Sequence, residues 1–371
     1  EDAERLEREV YEIAEAVLAR RPGDLRSMKN RALAADLLGR IALRRGDFAT
    51  ASEFAARSEQ ASEDIVRFNP GDVGSWMYLV RAGSRRATVL HEQGRLRDAL
   101  DKLESNVALA GDERLPPSAA AVFEDAWYDL AELQVELGLR AEAERTLVSA
   151  AAATEVGAAQ FGEGSPRRRM ALGRPKAERA WHALLAGEAE TAFRGFQSII
   201  AELDQIEFPP DEQLGQSIRD DYTSWTLGAL TDAAIQISRF PEAEAAARRR
   251  MALPDSAFGD VVREKADRHL RLAFALARLD RTTEAREVLE PALEYFRERR
   301  ATGSAGTQFH LEYAEALYVS AIAQGDDDAG RRARQQALEA ATTELERLSD
   351  EARQLLAARM YRERIAAARL M

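Results

Sequence analysis

Cysteine is absent from the 371 residues of this chain, and so is any long apolar segment. Without a thiol the chain forms no disulfide and no thiolate metal site, which is typical of proteins from a reducing compartment. The sequence contains no run of about 18 apolar residues and no basic-then-apolar signal peptide, so it predicts no membrane-spanning helix. We therefore expect a cytoplasmic protein that has no membrane partner.

Aromatic residues make up only 7% of the chain, and the clusters of Val, Ile and Thr that mark β-strands are scarce. Ala, Arg, Glu and Leu dominate instead, and these residues favour helices. The sequence therefore predicts an all-α protein. Basic charge is also in deficit, because the formal net charge is −12. Surfaces for nucleic acid need a positive field, so the composition argues against a nucleic-acid partner.

Residue patterns of common catalytic and metal sites are missing as well. The chain has no Gly-x4-Gly-Lys-Ser/Thr phosphate loop and no Gly-x-Ser-x-Gly nucleophile motif. The four histidines are far apart and show no His-x3-His spacing, so they do not predict a zinc site. We therefore predict no catalytic residue, no metal and no cofactor in this chain, and leave open an enzymatic domain joined upstream of it.

The most informative feature that the sequence does contain is a repeat. The segment from Pro22 to Met28 returns as Pro70 to Trp76, and Gly46 returns as Gly94, so both offsets are 48 residues (22 to 70 and 46 to 94). Spacings of 42 to 51 residues between turns fit two helices of roughly 20 residues each. Copied helix pairs of this kind stack into a solenoid. The predicted turn positions are Gly46, Gly94, Gly138, Gly187, Ser238, Asp280 and Gly325.

A small residue follows most of these turns at a fixed distance. Five residues after the turn comes an alanine, whose methyl side chain lets two helix backbones approach closely. We expect these alanines to lie where the two helices of a pair cross. They are Ala51, Ala99, Ala143, Ala192, Ala243 and Ala285.

The pattern resembles the tetratricopeptide repeat (TPR), a family whose repeat has roughly 34 residues. Residues 37–55 are similar to the central part of that repeat. The resemblance implies an α-solenoid, a right-handed superhelix of stacked antiparallel helix pairs. The long period of the repeat is similar to that of arrays in bacterial signalling and effector proteins, where the array controls a fused domain. The third unit carries the motif in Trp127, Leu130, Ala131, Gly138, Ala143, Leu147 and Ala150.

We divide the chain at a segment rich in Arg, Gly and Pro. Residues 1–160 are predicted to form N-terminal units that start in mid-repeat, residues 161–175 a loop, and residues 176–371 C-terminal units with capping helices. Residues 1–21 have the pattern of the second helix of a hairpin. We therefore expect this chain to be the C-terminal part of a longer protein.

In the family that the chain resembles, the first helix of each pair lines a concave groove, which we expect to be an open trough. A basic end and an acidic middle then share one groove with several aromatic residues, which suits an extended peptide or a helix. The groove positions carried over from the family are Arg40, Arg44, Arg81, Asp125, Tyr128, Glu132, Glu136, Arg174, Trp181, Trp225, Asp232, Gln236, Phe274 and Arg278.

These features favour a protein- or peptide-binding scaffold that controls or localises an effector domain upstream of the chain. One alternative is self-association, in which a homo-oligomer clusters the effector. Another is a small-ligand sensor with its pocket around Trp181 and Trp225. Trp127 lies at a packing position, so we expect it in the core. The run from Arg167 to Arg169 is expected in a solvated loop.

Overall fold

The computed structural model describes residues 2–256, 260–303 and 305–370. Within these ranges the regular structure consists of sixteen α-helices and three short 3-10 helices, with no β-strand. The first eight helices are α1 Asp2–Arg20, α2 Leu25–Arg44, α3 Phe48–Phe68, α4 Val73–Glu92, α5 Leu96–Ala108, α6 Glu124–Glu136, α7 Arg140–Ala158 and α8 Pro166–Leu185. The other eight are α9 Ala189–Leu203, α10 Gln213–Gln236, α11 Phe240–Met251, α12 Val261–Arg278, α13 Thr282–Ala301, α14 Thr307–Ile322, α15 Asp328–Glu346 and α16 Leu356–Arg369.

Seven antiparallel pairs, from α2–α3 to α14–α15, account for all but the first and last of these helices in the described part of the chain. The second helix of each pair packs on the first helix of the next, as α3 does on α4 and α11 on α12. This arrangement is an α-solenoid, and it confirms the predicted fold class. None of the helices in the described ranges is long and apolar enough to span a membrane.

The turns inside the pairs have the backbone conformation that the sequence predicts. Each is closed by a backbone hydrogen bond across the helix end, such as the one from the N–H of Asp47 to the carbonyl of Ala42 at 3.0 Å. Gly325 is the exception, because α15 starts later, where Asp327 accepts a hydrogen bond from the N–H of Gly330 at 2.6 Å. Six of the seven predicted turn residues have positive φ: Gly46 (72°), Gly94 (71°), Gly138 (82°), Gly187 (82°), Ser238 (61°) and Asp280 (60°).

The six alanines predicted at the helix crossings are all buried, with at most 1% of their surface exposed. A larger side chain at these positions would push the two helices of a pair apart. The fixed distance between turn and alanine is therefore confirmed as a packing signal. Trp127, predicted in the core, is partly buried against the cluster that contains Leu130 and Phe123.

The loop predicted for residues 161–175 is shorter in the structure, because α8 begins at Pro166. Ser165 accepts a hydrogen bond from the N–H of Arg168 at 3.2 Å, and proline fits the first turn of a helix, where its missing N–H has no cost. The prediction that the run from Arg167 to Arg169 lies in a loop was wrong, since it forms the first turn of α8. α7 and α8 pack on each other across this segment. The division of the chain into N-terminal and C-terminal units stays a prediction.

The two ends of the array meet, so the groove is not the open trough that we expected. Ser349, after α15, donates a hydrogen bond from Oγ to the carbonyl of Gly94 at 2.8 Å. Thr307 Oγ1 donates to the carbonyl of Glu92 at 3.3 Å, and the N–H of Gln308 donates to Glu92 Oε2 at 3.2 Å. These bonds join the second helix pair to the seventh, so the array closes on itself.

The last helix, α16, packs on α14 and α15 through Ala358, Tyr361 and Ile365, which are buried. Besides covering the end of the stack, it faces the interior of the superhelix with residues 356–364. The chain therefore supplies one wall of its own groove.

Candidate functional site

A cavity of about 470 Å³ lies inside the superhelix, where the inner helices α6, α8, α10, α12 and α14 face α16. We call it the interior cavity. Its walls are the C-terminal ends of α8 and α10, the middle of α12, the first turns of α14 and most of α16. The structure brings five of the residues predicted from sequence together here: Glu136, Trp181, Asp232, Gln236 and Phe274.

Trp181 forms an apolar wall of the interior cavity and is held by two kinds of contact. Its indole Nε1–H donates a hydrogen bond to Glu132 Oε1 at 3.0 Å. Its ring centroid lies 6.0 Å from that of Trp225, which stacks on Tyr222 at 6.1 Å. Such contacts fix the orientation of an aromatic side chain. Trp225 supports Trp181 and is not among the residues that line the cavity.

Carboxylates on one face of α6 continue from the interior cavity toward α4. Asp129, Glu132 and Glu136 line a smaller cavity of about 210 Å³ between these two helices. Glu136 lies 3.4 Å from His91 Nε2, whereas Glu132 forms no salt bridge with a described residue. Burial, followed by the negative charge of Glu136, raises the pKa of Glu132 to about 8. A cationic group that entered beside Glu132 would favour its ionised form.

Arg271 on α12 organises the opposite wall of the interior cavity. Its guanidinium lies 2.8 Å from Asp232 on α10, 2.6 Å from Glu315 on α14 and 3.4 Å from Asp267. Burial alone lowers the pKa of Arg271, but the carboxylates of Asp232 and Glu315 outweigh it and raise this pKa well above its ordinary value. These carboxylates are thereby engaged with the protein itself. Within the described ranges no group of three or more His, Asp or Glu side chains is arranged to hold a metal ion.

Arg364 of α16 reaches across to α12. Its guanidinium lies 5.5 Å from the ring centroid of Phe274, which is 3% exposed, and 5.9 Å from that of Tyr361. Phe274 is therefore largely covered by the chain itself. A ligand that is to contact more of this ring must displace Arg364.

Arg40, Arg44 and Arg81 lie on α2 and α4, away from the interior cavity. Together with Arg85 they form what we call the arginine cluster. Asp36 is the carboxylate within it, 3.2 Å from Arg85 Nε and 3.6 Å from Arg81. These three predicted arginines thus lie together at the N-terminal end of the array.

Tyr128 is a core residue and not a groove residue. It is 3% exposed, and its hydroxyl lies 3.0 Å from Thr154 Oγ1 on α7. The guanidinium of Arg174 covers the ring of Tyr128 at 4.4 Å and donates a hydrogen bond to Asp125 at 2.6 Å. These predicted residues therefore connect α6 to α7 and α8.

Sequence reasoning missed the α16 residues Tyr361 and Arg364, because we expected the last helices only to cap the stack. It also missed Arg271, which lies one turn before Phe274 on the same helix face and could have been found from that spacing. Arg278, which was predicted, lies outside the lining and covers the ring of Phe240 at 5.0 Å.

Comparison with family models and with curated proteins gives no match. Among solved structures, the chain is similar to NprR, seen in a crystal structure with its cognate peptide NprX. The identity is 14%, the match covers 89% of this chain and 85% of that chain, and the TM-score is 0.51. The likeness supports the predicted fold, a TPR-like array of helix pairs, and extends to the fold alone. The TPR domain of P58(IPK) matches at 13% identity over 97% of this chain and 94% of that chain, but a TM-score of 0.23 is too low to support an argument.

Proposed function

We propose that this chain is a peptide-binding repeat domain whose ligand contacts the interior cavity. The observation that carries the proposal is Trp181, an indole in the cavity wall, beside Glu132, which lines the adjoining smaller cavity and forms no salt bridge with a described residue. A ligand with an apolar side chain against the indole and a cationic group near the carboxylate satisfies both. NprR, whose fold is similar, was crystallised in complex with a cognate peptide, and this supports a peptide as the ligand here.

The size of the interior cavity limits what it holds in the closed superhelix. A volume of about 470 Å³ is enough for a small ligand or for a few side chains of a peptide. A longer peptide enters only if the contacts that Glu92 and Gly94 make with Thr307 and Ser349 open. Because each helix pair contacts mainly its neighbours, small rotations between pairs add up to such an opening.

We further propose that this opening and closing controls an effector domain joined upstream. α1 exposes Leu6, Val10 and Ile13 by 51%, 39% and 64%, which provides an apolar face for a joined domain. A ligand that binds the open and closed forms with different affinity shifts the balance between them. The shift reaches α1 through its packing on α2.

A peptide screen by thermal shift tests the proposal. A peptide at 100 times its Kd adds about 2.7 kcal/mol to the free energy of unfolding. We expect active pools to raise the Tm of the wild type and of Arg278→Ala, which lies outside the cavity, and to lose their effect in Trp181→Ala. Peptide binding that is unchanged in Trp181→Ala contradicts the proposed site. A response to small amines alone, with none to peptides, favours a small-ligand sensor.

Self-association is a second candidate, and the exposed apolar face of α1 favours it. Static light scattering at several concentrations separates the two functions. If the mean mass rises with concentration and Ile13→Glu abolishes the rise, the face joins two copies of the chain. A constant monomer mass excludes self-association and leaves ligand binding in the interior cavity as the candidate function.

A further inference from the structure

A pocket of about 230 Å³ lies where the two ends of the array meet, and we call it the end pocket. Residues of α2 and α4 form one wall, and residues of α12, α13 and α14 form the other. Tyr295 of α13 and Gln308 of α14 belong to this second wall. The charged side chains that line it are Arg44, Arg85, Arg263, Arg299, Glu92, Asp260 and Glu312.

The carboxylates of the end pocket are engaged on the side of the C-terminal helices. Glu312 Oε2 accepts a hydrogen bond from Arg263 Nε at 3.2 Å, and Asp260 caps α12 by accepting one from the N–H of Arg263 at 3.2 Å. Glu92 Oε2 accepts a hydrogen bond from the N–H of Gln308 at 3.2 Å. Among the described residues, none of these carboxylates forms an ion pair with Arg44 or Arg85.

Two members of the arginine cluster, Arg44 and Arg85, lie in the opposite wall, and the cluster has more positive charge than its one carboxylate, Asp36, balances. The side chains of Arg40 and Arg44 form no hydrogen bond or ion pair with any residue that the structure describes. Burial, followed by the positive charge of Arg85, lowers the pKa of Arg40, and Arg44 and Arg81 act in the same direction. Four like charges on two adjacent helices repel one another, so the cluster costs free energy until an anion binds it.

We propose that the end pocket binds an oxyanion of the phosphate class. Arg44 and Arg85, the two members of the arginine cluster that line the pocket, hold it on one wall, Arg40 and Arg81 add positive charge beside them, and Arg263 and Arg299 face it from the other wall. The guanidinium group suits this ligand, because its planar fork of N–H donors matches two phosphate oxygens at once. An oxyanion in this position contacts both ends of the array, so it stabilises the closed superhelix. This site goes beyond the proposed peptide-binding function and does not depend on it.

Titration with inorganic phosphate, at an ionic strength held constant with sodium chloride and with no peptide present, tests the site. We expect the Tm of the wild type to rise and the radius of gyration from small-angle scattering to fall, both with saturation. In Arg40→Ala/Arg44→Ala the apparent affinity for phosphate should fall by about tenfold or more. The control Arg194→Ala/Arg249→Ala, with exposed arginines of α9 and α11, should respond like the wild type.

A second arm with acetate distinguishes phosphate from a planar carboxylate, such as the C-terminus of a peptide. A response to acetate at the same concentration as phosphate, or lower, overturns the assignment to the phosphate class. Equal phosphate responses in the wild type and in Arg40→Ala/Arg44→Ala overturn the site itself, because phosphate also stabilises proteins by exclusion from their surface.

A measurement without phosphate separates ligand binding from a structural role of the arginines. If their charges await an anion, Arg40→Ala/Arg44→Ala is at least as stable as the wild type in chloride alone. A double variant that folds but is markedly less stable than the wild type overturns the proposal. If the double variant does not fold, Arg44→Gln, which keeps an amide donor and removes the charge, replaces it in the same titration.

Discussion

Ser349 donates a hydrogen bond to the carbonyl oxygen of Gly94 at 2.8 Å, although 255 positions separate the two residues in the sequence. Gly94 is the left-handed residue of the turn between α4 and α5, with φ of 71°. Leu96, which follows this turn, belongs to the same apolar cluster as Leu348, Ala352 and Leu355. The contact is therefore a seam with both polar and apolar parts, which joins the second helix pair to the end of the seventh.

We predict that Gly94→Ala opens this seam. A β-carbon on Gly94 would lie 2.8 Å from Ser349 Cβ, which is closer than packed side chains allow. The left-handed backbone adds a cost of about 1–2 kcal/mol for any residue with a β-carbon. We expect a lower Tm and a larger radius of gyration in small-angle scattering.

Gly138→Ala is the matched control for this variant. Gly138 has φ of 82°, and a β-carbon there would meet no atom within 4 Å. It should lose stability to a similar extent from the backbone alone and keep the radius of gyration of the wild type. Ser349→Gly added to Gly94→Ala removes the clash together with the Ser349 hydrogen bond, so it should bring the radius part of the way back through the bonds of Glu92 and the apolar contacts that remain. An unchanged radius in Gly94→Ala would show that the seam does not hold the ends together.

Glu132→Gln should stabilise the protein more at pH 8 than at pH 5. Burial and then Glu136 raise the pKa of Glu132 to about 8, so the folded state holds this proton more tightly than the unfolded state does. That contribution is complete below the unfolded pKa and is lost as the pH rises toward 8. Glutamine keeps an acceptor for the indole of Trp181 and never ionises.

Urea unfolding of the wild type and of Glu132→Gln at pH 5 and pH 8 measures this effect. We expect a gain on the order of 1–3 kcal/mol at pH 8 and a smaller one at pH 5. The exposed Glu53→Gln should show no comparable difference between the two pH values. A gain that is the same at both would mean that Glu132 does not titrate in this range.

Arg271→Met should be among the most destabilising substitutions in the chain. It leaves Asp232 and Glu315 without the guanidinium that holds them, while Asp267 keeps its pair with Arg250 at 2.5 Å. Breaking a buried ion pair from one side costs about 3–5 kcal/mol. Arg194→Met, which removes an exposed pair with Glu190 on α9, should cost about 0.5 kcal/mol or less. Similar costs for the two variants, measured by urea unfolding, would refute the role of Arg271.

Ser238→Gly should stabilise the protein by about 0.5–1 kcal/mol. Ser238 has φ of 61°, a left-handed conformation that strains a residue with a β-carbon, and glycine removes that strain. Asp280→Gly, at φ of 60°, should gain less, because aspartate tolerates this conformation better than most residues do. Ser238→Ala keeps the strain and serves as the control, so a gain in Tm for alanine equal to that for glycine would contradict this explanation.

The helix pairs and their turns were predictable because their signals are local. A left-handed residue at Gly46 or Gly187 ends one helix, and an alanine five residues later, such as Ala51 or Ala192, lets the next helix pack on it. Both signals involve residues only a few positions apart, so a single sequence contains them. The same logic failed for the loop at 161–175, where the Ser165 cap and Pro166 start α8 despite the neighbouring glycines.

The candidate site was predictable only in part. Trp181, Asp232 and Phe274 line the interior cavity because they lie on the inner face of the first helix of their pairs. Tyr128 shares a face of α6 with Glu132, but Arg174 from α8 covers it, and no pattern within α6 shows which neighbour will do so.

The sequence by itself determined that this chain is a stack of antiparallel helix pairs, because helix caps, turns and small-residue crossings depend on residues close together in the chain. Only the tertiary structure decided that the stack closes, that α16 lines the interior, and that Gly94 meets Ser349. The physical reason is accumulation: each helix pair adds a small rotation set by side-chain packing. The sum of these rotations from the second pair to the seventh decides whether two surfaces far apart in sequence come into contact.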